Sequence, residues 1–144
     1  MFKFGKSTGE LFTELKEEKN IGDWRERNRE EFIAPLNEFL EKILREKNLT
    51  KQEVIDRSGL NREYVYHIFS GNKKNPSRPK VLALAIAMNL NLDEVQYLLR
   101  YARQGVLYPR NQWDSVIISA IEQNLSVWQT NELLHNLGEK ILLN

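Results

Sequence analysis

Apolar residues recur along this chain at spacings of three and four, and no run sustains the two-residue alternation of a strand. An all-α fold is therefore predicted. Leu11, Phe12 and Leu15 make a short amphipathic helix after Ser7-Thr8, and Asn20-Ile21-Gly22 breaks it. Asp23 to Glu26 has capping-box spacing and opens the charged run DWRERNREE, either a short helix anchored by Trp24 or a flexible lead-in. Pro35 suits the first turn of the next helix, where its missing N–H costs nothing, and Leu36, Phe39, Leu40 and Ile43 follow at core spacing.

Between Leu49 and Gly71 the pattern tightens into two short helices joined by a turn. Thr50 and Glu53 form a capping box, Val54 and Ile55 supply the apolar face, and Ser58-Gly59 stops the helix. Asn61 caps the second helix, which turns Val65, Ile68 and Phe69 to one side. Arg62, Glu63, Tyr66, His67 and Ser70 fall on the other. Residues 71–76 are a loop by composition, and Ser77 caps the very apolar helix VLALAIAM. Asn91 and Glu94 open a helix with Val95, Leu98, Leu99 and Ala102 inward, and Gly105 and Pro109 end that region. Two amphipathic helices follow. One carries Trp113, Val116, Ile117, Ala120 and Ile121; the other is capped by Ser126 with Gln129, carries Val127, Leu133, Leu134 and Leu137, and ends near Gly138.

This reading divides the chain into an N-terminal helical extension (1–34), a five-helix domain (35–104) and a C-terminal helical pair (105–144). The pair either dimerises, makes a regulatory contact or packs back on the five-helix core. A chain of 144 residues buries one sizeable core, and 41% hydrophobic with 28% charged residues is ordinary globular composition. No apolar run approaches the roughly 20 residues of a membrane span. MFKFGKSTGE lacks the apolar core of a secretory signal, so a cytoplasmic protein without a membrane is the expectation. With no cysteine, disulfide and thiolate chemistry are excluded.

Net charge is +1, but its distribution is uneven. From Leu49 to Lys80 there are seven basic residues against three acidic ones; the flanks are neutral to slightly acidic. Such a local excess is the footprint of a nucleic-acid-contacting face on a neutral body. Other chemistry is missing. Gly5-Lys6-Ser7-Thr8 has the end of a phosphate-binding loop without its upstream glycine or strand. His67 and His135 lack the acidic spacing of a metal cage, and Asp114, Glu122 and Glu132 read as solubilising residues. Trp24, Trp113 and Trp128 read as core or interface anchors. No enzyme, metal or cofactor is expected.

The run LTKQEVIDRSGLNREYVYHIFSG, followed by a basic NKKNPS loop, an apolar helix and NLNLDEV, resembles the XRE-type (λ repressor/Cro-like) helix-turn-helix DNA-binding domain family. The resemblance covers Leu36 to Leu99. It implies a five-helix all-α domain, here with extra helices at both ends, that binds double-stranded DNA. It also implies site residues. Arg62 would read a base by donating two bonds to guanine, Glu63 would accept from cytosine or orient Arg62, and Tyr66 and His67 lie one turn further on. Lys51 and Gln52 would anchor phosphate at a helix start, with Ser70, Asn72, Lys73 and Lys74 on neighbouring phosphates and Asn75, Arg78 and Lys80 beyond them. Two features depart from the pattern: Ile55 stands where alanine is usual, and the reading helix carries Glu63, Tyr64 and Tyr66.

Two functions follow from these residues. One is a sequence-specific transcriptional regulator, a homodimer on a pseudo-palindromic site, with the terminal helices open to a protein partner. The other is a helix-turn-helix fold serving as a protein-interaction adaptor through Glu63 and exposed tyrosines. Only the first requires binding that falls steeply with salt.

Overall fold

The computed structural model describes residues 5–144, so the start of the stretch read for a secretory signal lies outside the described residues. Among the described residues every regular element is helical. They divide into two compact units, one ending at Ala34 and the other running from Pro35 to Asn144.

The first unit holds α1 (Thr8–Glu17), α2 (Ile21–Arg27) and a 3-10 turn at Arg29–Glu31. Ser7 and Glu10 close a capping box on α1, and Lys6 Nζ donates to Glu14 (3.1 Å) and Asn28 (2.8 Å). The GKST run is thus spent on local structure. The Lys6 ammonium holds the Glu14 carboxyl below its ordinary pKa, against some desolvation. The charged run forms a helix, but its cap is Asn20, not Asp23. The Asn20 side chain accepts from Asp23 N–H at 3.1 Å, so Ile21 and Gly22 form the first turn where a break was expected. Trp24 is the buried anchor. Its indole donates to Glu14 at 3.0 Å and meets Phe32 edge-on at 5.9 Å.

The second unit contains α3 (Leu36–Lys47), α4 (Lys51–Ser58), α5 (Arg62–Ser70), α6 (Arg78–Ala87), α7 (Leu92–Tyr101), α8 (Gln112–Glu122) and α9 (Val127–Asn136). Pro35 stands just before α3, one residue earlier than predicted. The apolar α6 is the central element: α4, α7 and α9 all pack against it, and Val81 through Ala85 are buried. A helix enclosed on several sides has no polar face to keep, which is why VLALAIAM lacks amphipathic alternation. On its flank, α3 packs on α5 and α7, with the Phe39 and Tyr101 rings stacked at 3.8 Å.

The C-terminal pair belongs to this same unit. α8 packs on α7 and α9, and α9 packs on α6, burying Ile117, Ala120, Ile121, Val127 and Leu134. Each buried aliphatic side chain contributes roughly 1.5–3 kcal/mol, so the pair is part of the core and not a detachable arm. Leu137, predicted to face inward, is exposed because α9 ends at Asn136 and the chain turns away. Trp128 is the most exposed of the three tryptophans, at 73%.

Candidate nucleic-acid interface

The two short helices meet at a turn whose side-chain hydrogen bonds are all local. Thr50 and Glu53 form the predicted capping box on α4, and Gly59 ends the helix at φ +72°, a left-handed conformation that a side chain would strain. Ser58 Oγ accepts from Leu60 N–H at 3.1 Å. Asn61 Oδ1 then accepts from Glu63 N–H (2.9 Å) and Tyr64 N–H (3.3 Å), fixing the start of α5.

From that start, α5 sorts its side chains as its periodicity demands. Val65, Ile68 and Phe69 are buried; Arg62, Glu63, Tyr66, His67 and Ser70 are exposed. Ile55 is also buried, so the bulk that departs from the alanine pattern is absorbed inside the fold. The Arg62 guanidinium lies 5.5 Å from the Tyr66 ring, a cation–π contact that holds it along the exposed face without neutralising it. Ser70 Oγ donates to the His67 carbonyl at 3.1 Å and accepts from Asn72 N–H at 3.4 Å. Gly71 closes the helix at φ +87°, and a Cβ there would stand 3.3 Å from the Asn37 side chain. Lys73 N–H returns to the His67 carbonyl at 2.9 Å, so the basic loop starts directly from the end of α5.

Not every predicted contact residue is equally free. Lys74 and Asn72 are exposed, and no carboxylate pairs with Arg62, Lys73 or Lys74 among the described residues. Lys51 pairs with Glu41 at 2.9 Å and also stands 5.6 Å from the Phe69 ring, beside the far end of α5. Gln52 donates to Asp56 at 2.8 Å. Tyr64, read as an exposed partner of Tyr66, is half-buried instead. Lys80 lies 4.2 Å and Lys73 5.9 Å from its ring centre. Burial raises the Tyr64 phenol pKa, partly opposed by a hydrogen bond with the Ser77 backbone.

Two sequence readings are corrected at the far end of the basic run. Asp114 is not a solubilising surface acid: it is 5% exposed and accepts from Arg78 Nη1 at 2.8 Å, Arg78 Nη2 at 2.9 Å and Tyr108 N–H at 3.0 Å. Burial opposes its charge, but the Arg78 guanidinium and the Tyr108 amide outweigh that and hold its carboxyl below the ordinary value. Arg78 is correspondingly consumed. It also donates to the Gly105 carbonyl at 2.9 Å and the Val106 carbonyl at 3.1 Å, which leaves no fork to offer a phosphate.

Residues 40–95 match the model of the Helix-turn-helix family, of XRE type. That segment is a helix-turn-helix domain. It runs from within α3 to the first half of α7, so α4 is its first motif helix and α5 its second. Neither the curated proteins nor the solved structures contain a match to the chain. The helix-turn-helix domain therefore has a family assignment, while its site residues rest on geometry. Among the described residues no group of His, Cys, Asp and Glu could hold a metal ion, and no helix is long and apolar enough to cross a membrane.

Proposed function

We propose that the protein is a sequence-specific DNA-binding transcriptional regulator, acting in the cytoplasm, whose α5 reads the major groove. One observation carries the reading: the exposed row Arg62, Glu63, Tyr66, His67 and Ser70 runs without interruption into the loop bearing Asn72, Lys73 and Lys74, and its cations pair with no carboxylate among the described residues. Unpaired guanidinium and ammonium groups on one helix and its following loop suit base edges and phosphates respectively. Lys51 is the backbone anchor at the start of α4, exchanging Glu41 for a phosphate; Gln52 does the same with Asp56. A single half-site makes few base contacts, so a homodimer on a two-fold symmetric site supplies affinity. No cofactor enters this reading.

The adaptor reading keeps Glu63 and Tyr66, but Tyr64 is engaged with Lys80, and half of its aromatic surface is gone. The test is fluorescence anisotropy with a random-sequence duplex pool at two salt concentrations, followed by sequencing of the bound fraction. A two-fold symmetric motif is expected, with binding that falls steeply with salt. Absence of binding at low salt from folded protein overturns the reading in favour of the adaptor.

A further inference from the structure

Residues 140–144 run back across the second unit to the turn that opens α5. Two side chains fix their path. The Trp113 indole N–H donates to the Lys140 carbonyl at 2.8 Å. Asn131 of α9 accepts at Oδ1 from the N–H groups of Leu142 (2.7 Å) and Leu143 (3.2 Å), and its Nδ2 donates to the Leu143 carbonyl at 3.0 Å. Leu142 is buried and Leu143 half-buried. Leu143 Cδ1 lies 3.8 Å from the point that a Cβ on Gly59 would occupy. Leu143 and Asn144 line one cleft, of about 300 Å³, with Gly59, Asn61, Tyr64 and Lys80.

The place is consequential. Gly59, Leu60 and Asn61 are the whole connection between the two motif helices, and Asn61 caps α5 one residue before Arg62. Hydrogen bonds within the turn set its shape, but its aim also depends on what packs over it. A recognition group needs supporting contacts that hold it to within roughly 0.5 Å. We propose that residues 140–144 are a positioning strap for α5, and that Leu143 is the residue that acts on it, through the Gly59 turn. The inference rests on the DNA-reading function proposed above. On its other flank the strap borders an open cleft of about 460 Å³ with Ser77, Pro79 and Trp113. The strap is thus held by the Asn131 and Trp113 hydrogen bonds and by the buried Leu142, while Leu143 at its end is half-buried.

The test uses the full chain carrying Leu143→Ala, with Leu143→Met as the rescue and Asn131→Ala as a second route to the same loosening. Hydrogen exchange of the free protein is compared with binding to the selected duplex and to a random one. Leu143→Ala should speed exchange of the amides at the start of α5 and weaken the selected duplex about three- to tenfold. Binding to the random duplex at low salt should hold, because Lys73 and Lys74 are untouched, and Leu143→Met should restore both readouts. Unchanged exchange at residues 60–66 overturns the proposal. So does faster exchange spread evenly over the second unit, since that marks a merely structural residue. If the wild-type chain binds no duplex, the DNA reading fails, and the exchange comparison still decides the strap.

Discussion

Arg62 and Arg78 belong to the same basic stretch, from Leu49 to Lys80, and meet opposite fates. At Arg62 the guanidinium lies on an exposed helix face with an aromatic ring beside it and pairs with no carboxylate among the described residues, so its charge is available to a partner. At Arg78 the guanidinium is enclosed by Asp114 and two carbonyls, and its charge is spent inside the fold. The difference teaches that a local charge excess marks two kinds of residue at once. Some build the electrostatic face, and others fasten the segment that carries it. Arg78 does the second, tying the end of the basic loop to the connection between α7 and α8.

The Arg78 side should show the greater loss of stability. Arg78→Met leaves a buried carboxylate without its partner, and removing one half of a buried pair costs about 3–5 kcal/mol; the quarter exposure of Arg78 puts this case near 3. Denaturant unfolding should show that loss in the second unit, whereas Arg62→Ala should leave stability within about 0.5 kcal/mol. A pH titration sharpens the same point. The Asp114 pKa is lowered in the folded state from an ordinary 3.8, so its contribution is complete above that value and is lost as pH falls through the lower folded one. An Arg78→Met, Asp114→Asn double variant should therefore unfold with a shallower acid dependence than the wild type. Equal slopes would remove Asp114 from the account.

On the Arg62 side the effect moves from stability to recognition. Arg62→Ala should cost about 1–3 kcal/mol in binding to the selected duplex and relax preference at one base pair. Competition binding against single-base variants of that duplex measures both. Retained preference would show that Arg62 does not read a base.

Most of the fold was legible because helices announce themselves by period and cap. The capping boxes at Thr50, Asn91 and Ser126 all stand as read, as does the burial of Val65, Ile68 and Phe69. Errors arose where a choice depended on contacts distant in sequence. Asp114 looks like any acid in the first turn of an amphipathic helix, and nothing nearby says that Arg78, 36 residues earlier, closes on it. Tyr64 is a similar case, since its cover comes from Lys80 on another helix. The α2 cap is ambiguous for a local reason: Asn20 and Asp23 are both good caps, and periodicity in seven residues is too short to choose. Of the candidate site, the exposed face of α5 could be read from period alone. Which cations remain free could not, because pairing is tertiary.

Within the exposed face itself, position and charge are separable. Lys74 contacts no acid and no ring among the described residues, so removing it costs the fold nothing. If it meets a phosphate, Lys74→Ala weakens every duplex alike, by a fraction of a kcal/mol near physiological salt. It also lowers the slope of log affinity against log salt by about one. Arg62→Ala changes which duplex is preferred. Lys74→Ala changes only how steeply salt competes, and salt titrations of the selected and the random duplex distinguish the two. The same titration on Arg78→Met is the control that closes the comparison. A guanidinium already committed to Asp114 and two carbonyls releases no counterions from DNA, so its slope stays that of the wild type, and a lowered slope would return Arg78 to the interface.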